Sequence, residues 1–356
     1  MKRTNVKISV CLKKFKKKGA YKVDLLKNMP LSERYRYLGC TDQLYSVKKI
    51  ISDEGKSKGT SSYQVKTAGG LSYSVLADSG FDLGELSYRG IPISYLTKNG
   101  FVSPSLAESY DDSFSFYFPA GMMYTCGLMS VGECNRDGDV WHTSHGRYHN
   151  IPAEQLCAEI KDDVISLSAK VRETCFFAHA LEMERHISSP VDSASITITD
   201  YLTNQTPEDV EFMLLYHFNF GYPFLSKDLK LSLSDDRDTV AKTNYAAENI
   251  ESVLSFDDPR DGCEEQVFIH KFKGSDPAVR LENRALGIGA ALSFSLDTLP
   301  LMGQWKCMRS GEYVLGLEPT NSYINGRRAE RENGTLPKIA PFETKKMSLT
   351  LSFFDL

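Results

Sequence analysis

Ser195-Ile196-Thr197-Ile198-Thr199-Asp200-Tyr201 alternates apolar and polar side chains almost without a break. A period of two is the side-chain period of a β-strand that turns one face to a core and the other to polar surroundings. The pattern recurs upstream in Leu71-Ser72-Tyr73-Ser74-Val75-Leu76 and in Val164-Ile165-Ser166-Leu167-Ser168-Ala169-Lys170-Val171. Downstream it returns in Leu229-Lys230-Leu231-Ser232-Leu233-Ser234 and Met347-Ser348-Leu349-Thr350-Leu351-Ser352-Phe353. Gly, Asp, Asn and Pro bound these runs, which are rich in the β-branched and aromatic residues that strands favour. Helical signals are few. Thr206-Pro207-Glu208-Asp209 offers a capped turn, yet Phe212–Phe218 at once reverts to strand-like residues. Many short strands without interleaved long helices predict an all-β fold, a large antiparallel sandwich with few short helices.

The chain of 356 residues holds 42 basic and 46 acidic side chains, a net charge of −4. Lys2, Arg3, Lys7, Lys13, Lys14, Lys16, Lys17 and Lys18 put +8 on residues 1–18 and leave −12 on the rest. Residues 1–30 therefore read as a flexible basic N-terminal arm and 31–356 as a single domain. A body of that charge offers no footprint for a phosphate backbone, which argues against nucleic acid as a partner. The apolar run Ile8–Leu12 is too short for a signal-peptide core. The weakly charged stretch Ala285–Trp305 is broken by Asp297 and Pro300, so no membrane span is expected. The eight cysteines lack metal-ligand spacing and are expected to be mostly buried, reduced thiols of a cytoplasmic protein.

Three places carry chemistry. His142, His145 and His149 crowd Trp141-His142-Thr143-Ser144-His145-Gly146-Arg147-Tyr148-His149-Asn150 at spacings that would align on a helix. Gly146 and Asn150-Ile151-Pro152 disfavour that helix, and a zinc site with it. The stretch reads either as a polar loop with surface histidines or as a binding loop, where Gly146 permits close approach and Arg147 offers a fork of donors to hydroxyl oxygens. His217 lies in the apolar run Leu214-Leu215-Tyr216-His217-Phe218-Asn219-Phe220-Gly221-Tyr222-Pro223, as a core residue or as a proton donor in a closed pocket. Asn219 shares its strand face, which favours a polar cleft. Glu318 follows the apolar Tyr313–Leu317 and precedes Pro319. It is a solvated strand-end acid or, beside buried aromatic surface, a general base of raised pKa. Gly287-Ile288-Gly289 lacks the third glycine and the helix of a dinucleotide fingerprint, and reads as a glycine-softened strand.

Taken in order, several segments resemble the galactose-mutarotase-like superfamily, more closely its aldose 1-epimerase branch. They are Tyr37-Leu38-Gly39, Asp78-Ser79-Gly80-Phe81-Asp82-Leu83-Gly84 with Tyr88-Arg89-Gly90-Ile91-Pro92, and Thr125-Cys126-Gly127-Leu128. His145-Gly146-Arg147 with Asn150–Glu154, Tyr216–Pro223, and Gly316-Leu317-Glu318-Pro319 with Gly326-Arg327 complete the series. The branch commonly has Arg where this chain has Ser79. The resemblance implies a β-supersandwich with a sugar-sized cleft on its concave sheet. It places catalysis on His145, His217 and Glu318, and substrate contacts on Arg147 and, as weaker candidates, on Asn219, Asp82 and Arg89.

Such a protein would exchange the anomers of a monosaccharide or small sugar derivative by acid–base ring opening, with Glu318 as base and protonated His217 as acid. That chemistry calls for no metal and no organic cofactor. A carbohydrate-binding or sensing module without turnover, or an isomerase or lyase of a modified or keto-sugar, fits the same residues. Exposed sheet edges in such folds can be covered by a second copy, which leaves a homodimer open.

Overall fold

A computed structural model describes residues 29–107, 113–274 and 276–356. The basic stretch 1–28 and Cys11, for which an arm and a thiol were expected, lie outside the described residues. Contacts divide the chain at Gln43. Up to that point it forms short helical turns, Leu31–Arg34, Tyr35–Tyr37 and Thr41–Gln43, with Arg34 Nε donating to Met29 O at 2.7 Å.

Leu44–Leu356 is an antiparallel sandwich of two large sheets. The first runs Ser46–Ile51, Ser61–Lys66, Leu71–Leu76, Asp82–Tyr88, Met123–Leu128, Met213–Gly221, Glu312–Thr320, Leu301–Arg309, Glu265–Phe272 and Arg237–Ala241, neighbours hydrogen-bonded in that order. The second runs Leu229–Leu233, Val279–Asn283, Ile288–Phe294, Thr344–Asp355, Ser195–Asn204, Ala180–Pro190, Val164–Thr174 and Glu154–Lys161. The alternation read from sequence is the burial pattern of these strands. Ile196, Ile198 and Leu202 are buried while Thr197, Thr199 and Tyr201 turn outward, and Ile196 and Ile198 pair with the equally buried Leu351 and Leu349. Gly289 lies in a strand, under the ring of Phe354.

Two charged residues occupy the apolar phase. Arg185 and Asp200, opposite each other on neighbouring strands of the second sheet, are fully buried. Arg185 binds Asp200 through Nε at 2.9 Å and Nη2 at 2.7 Å, and reaches across to Asp82 and Thr125 of the first sheet. Asp82 also accepts from the Thr125 backbone N–H at 2.8 Å and lies 2.7 Å from His149 Nδ1. Buried charges persist only when paired and hydrogen-bonded, and this network fixes the two sheets against each other.

Met213–Gly221 differs from the alternating strands: every residue in it is buried. Its one face meets the second sheet, where the Tyr216 hydroxyl donates to Asp200 at 2.7 Å. Its other face is covered by aromatic side chains and loops, and there the site forms. Of the seven described cysteines, Cys126, Cys263 and Cys307 are buried but Cys40, Cys157 and Cys175 are exposed, so the expectation of mostly buried thiols is corrected. No helix among the described residues is long and apolar enough to cross a membrane.

Candidate active site

Strand register brings two functional side chains together from 101 positions apart in sequence. Met213–Gly221 pairs with Glu312–Thr320 through Leu215↔Thr320 and Phe218↔Leu317, which sets His217 opposite Glu318. The ladder lapses between those pairs, where Pro319 has no N–H to give. Glu318 was expected to end its strand; instead the strand continues to Thr320 and the carboxylate is 2% exposed. His217 Nε2 and Glu318 Oε1 stand 3.1 Å apart, within ion-pair reach though not aligned as a hydrogen bond.

Two glycines make room for this pair. A Cβ on Gly316 would lie 2.7 Å from Glu318 Oε1 and 2.8 Å from His217 Cε1, and one on Gly303 would lie 2.5 Å from Glu318 Oε2. Gly303 pairs with Glu318, and Trp305, two residues on, pairs with Gly316. Side chains at that spacing share a face, so the indole stands beside the pair, its centroid 5.6 Å from the His217 ring. Trp305 Nε1 donates to Glu265 at 2.7 Å, which holds the ring in place.

His145 arrives on a loop rather than a strand. Gly127 donates to His145 O at 2.9 Å and accepts from Arg147 N at 3.0 Å, while His145 N donates to Gly132 O at 2.8 Å. A Cβ on Gly146 would fall 2.3 Å from Gly127 O, so only glycine lets the loop cross the Met123–Leu128 strand this closely. His145 itself adopts a left-handed φ of 58°. Such a conformation costs about 1–3 kcal/mol in a non-glycine residue and persists where the surroundings over-determine it, often at functional sites. The fixed backbone sets the His145 ring 6.0 Å from that of His217 and 5.1 Å from Phe114.

These groups line a cavity of about 380 Å³, with Phe114, Phe118, Lys242, Glu265, Val267 and Ile324 among its walls. Aromatic surface with a few convergent polar groups is how small-molecule sites are built. His145 Nδ1, His217 Nδ1, Asn219 Oδ1 and Glu318 Oε1 are buried without a hydrogen-bond partner among the described residues. Buried polar atoms are rarely left so, and those of His145, His217 and Glu318, which line the cavity, call for a polar occupant.

Burial pushes Glu318 up, to about 8, with the charge of Glu265 adding to the effect. It pushes His217 down, to about 3, and His145 beside it lowers His217 further. His145 is also pushed down by burial, to about 4. At neutral pH the site therefore holds a carboxylic acid and two neutral imidazoles, the reverse of the expected Glu318 carboxylate and His217 imidazolium.

Of the residues singled out from sequence, His145, His217 and Glu318 come together. Asn219 lies against them: its Nδ2 donates to His217 O at 3.0 Å and Gly121 O at 3.1 Å, so it braces the strand, and its side chain partly offsets the lowering of the His217 pKa. Three do not join. Asp82 belongs to the inter-sheet network with Arg185, on the face of the sheet away from the cavity. Arg89 pairs with Asp355 at 2.8 Å. Arg147 lines a separate cavity of about 410 Å³ with Trp141, His142, Glu173 and His179. His149 is buried against Asp82 and stacked on Tyr124, not a surface histidine. Among the described residues no group of histidine, cysteine, aspartate and glutamate is arranged to hold a metal. Sequence reasoning missed Trp305 and Gly303, and it quoted Gly316 without giving it a role. The signal was present in Gly303-Gln304-Trp305, a glycine and one of the chain's two tryptophans at strand period.

A sequence family described as a domain of unknown function, DUF4432, matches residues 57–353. No curated protein matches the chain. Among solved structures, a candidate aldose 1-epimerase from Klebsiella pneumoniae superimposes with a TM-score of 0.83 at 22% identity, covering 88% of this chain and 86% of that one. A galactose mutarotase-like protein from Clostridium acetobutylicum gives 0.61 at 14% identity, over 88% and 100% of the two chains. Galactose 1-epimerase from Lactobacillus acidophilus gives 0.58 at 12%, over 87% and 99%. At these identities the likeness is one of fold, and the all-β supersandwich expected from sequence is the fold observed.

Proposed function

The chain belongs to the DUF4432 family and has the galactose-mutarotase-like fold, and from that premise we propose that it is an aldose 1-epimerase-like isomerase that exchanges sugar anomers by acid–base ring opening. The observation that carries the reading is the buried His217–Glu318 pair, 3.1 Å apart, facing a cavity of sugar size. The ring oxygen and the anomeric hydroxyl are both bonded to C1, so two proton-transfer groups this close can serve both oxygens at once.

The protonated Glu318 gives its proton to the ring oxygen as the bond from C1 to that oxygen breaks. His217 Nε2 takes the proton of the C1 hydroxyl, and the aldehyde C=O forms. This requires the His217 tautomer with its proton on Nδ1. Rotation about C1–C2 presents the other carbonyl face. On closure the C5 hydroxyl adds to C1, its proton returns to Glu318, and His217 hands its proton to the carbonyl oxygen. Between the two halves the pair is a carboxylate and an imidazolium, each stabilising the other at contact distance. This assignment exchanges the roles expected from sequence, in which Glu318 takes the C1 hydroxyl proton and His217 protonates the ring oxygen. Each positioned proton transfer typically contributes about 10²–10⁴-fold. His145, held neutral, is placed to hydrogen-bond the oxygen on which charge develops. Trp305 and Phe118 offer flat apolar surface to the sugar ring.

The test is anomer exchange followed by NMR or polarimetry over a panel of aldoses, beside a thermal-shift titration with the same sugars. Acceleration of at least one sugar is expected. Saturable binding without acceleration of any would identify a binding module instead.

A further inference from the structure

We propose that the substrate is a neutral saccharide of at least two linked rings, its reducing ring at the His217–Glu318 pair and its second ring in an outer groove; this rests on the anomer-exchange reading above. A second cavity of about 700 Å³ shares Phe114, Ser115, Phe118, Thr243, Glu265 and Trp305 with the inner one of about 380 Å³. The walls held in common set the two cavities side by side, with Trp305 lining both. The inner part alone is within the usual range for a small-molecule site, about 300–1,000 Å³, so a single ring leaves the larger part empty.

The outer walls have the chemistry of a second sugar subsite. Tyr95 donates to Glu312 at 2.8 Å and Lys98 pairs with the same carboxylate at 2.5 Å, which fixes a polar edge. Arg309 is anchored through Nε to Cys263 O at 3.1 Å and is otherwise exposed at the groove. The indole of Trp305 is immobilised by Glu265 and flanked by Phe118 at 6.3 Å. A flat apolar surface rimmed by donors and acceptors suits a pyranose, with its apolar ring faces and hydroxyl edge.

Charge decides the class. The carboxylates of Glu133, Glu264, Glu265 and Glu312 line the two cavities against Lys98, Lys242 and Arg309. Lys98 is already paired with Glu312, and Lys242 contacts Asn325. No surplus of positive charge is available for a phosphate or carboxylate on the sugar, and like charges would meet there.

The experiment measures anomer exchange for reducing disaccharides, for the monosaccharides at their reducing ends, and for hexose 6-phosphates and uronates. At least one disaccharide is expected to exceed its monosaccharide in kcat/KM by roughly tenfold, the worth of one hydrogen bond to a charged group. The charged sugars should be slower than their neutral parents, and Arg309→Ala should pull the disaccharide-to-monosaccharide ratio towards one. Wild-type acceleration of monosaccharides equal to that of every disaccharide, or a preference for the charged sugars, would overturn the extended neutral substrate and leave anomer exchange standing. Acceleration of none would remove the reading of the pair. The groove would then be judged by calorimetric binding of the same sugars, where disaccharides no tighter than monosaccharides would overturn it too.

Discussion

Replacing Glu318 by glutamine should abolish turnover and at the same time shift relative stability in the variant's favour as the pH rises to neutrality. The fold lifts the Glu318 pKa from 4.5 to about 8 by burial. A carboxyl whose proton affinity is higher in the folded state favours folding fully below 4.5, and that contribution is lost as the pH rises towards 8. Each pH unit within the window costs the native state about 1.4 kcal/mol. Between pH 5 and 7.5 the loss sums to about 3 kcal/mol. Glutamine keeps the shape but cannot ionise, so the stability difference between Glu318→Gln and wild type should move in favour of the variant by about that amount over the same interval. Any fixed cost of seating the amide cancels in the comparison. Urea unfolding of both proteins at pH 5 and 7.5 reads the difference directly. A stability gap that does not change with pH would refute a buried, neutral Glu318, and with it the proposed placement of the proton.

The same shifts set the activity profile: kcat/KM should stay level from about pH 5 into the neutral range, because His217 is held down at about 3 and His145 at about 4, and should fall as Glu318 loses its proton near 8; a rise through pH 8–9 would contradict the acid role. Gly316→Ala puts a methyl group 2.7 Å from Glu318 Oε1 and should lose activity by displacing the pair, at an overpacking cost of about 1–3 kcal/mol seen in unfolding. His217→Ala should lower kcat by about 10²–10⁴, with little of that loss traceable to unfolded protein by circular dichroism. Asp82→Ala takes from the buried Arg185 one of its two carboxylates, leaving Asp200, and takes from His149 its partner; it should cost about 3 kcal/mol in urea, while the folded fraction keeps its kcat, and lost activity at unchanged stability would return Asp82 to the cleft.

The two sheets were legible because alternation is local: a strand with one buried face writes that face at every second residue, as Ile196, Ile198 and Leu202 do. The meeting of His217 with Glu318 was legible in part. Each stood out as a polar group in an apolar strand, and the family resemblance put them in one site. Their protonation was not legible, because it depends on burial by Phe118, Trp305 and the His145 loop, which only the folded chain assembles. Asp82 and Arg89 were misplaced for a related reason. Which face of the Asp82–Tyr88 strand meets which neighbour is decided by pairing across the sandwich, and the neighbourhood of Asp82 in sequence says nothing of Arg185. A trace of that network was nonetheless present. Arg185 falls in step with Leu181, Met183 and Ile187, and Asp200 with Ile196, Ile198 and Leu202, so each charge sat in the buried phase of its strand and needed a partner. Arg147 was separated from His145 by the turn at Gly146, which sends the two side chains into different cavities.

The most direct test of the His217–Glu318 pair is anomer exchange by NMR saturation transfer on the sugar that wild type accelerates most, with Glu318→Gln measured beside it and sugar binding followed by calorimetry in both. The pair predicts that the variant binds the sugar with nearly unchanged affinity and exchanges its anomers no faster than buffer does. Exchange by the variant at a rate close to wild type would contradict it.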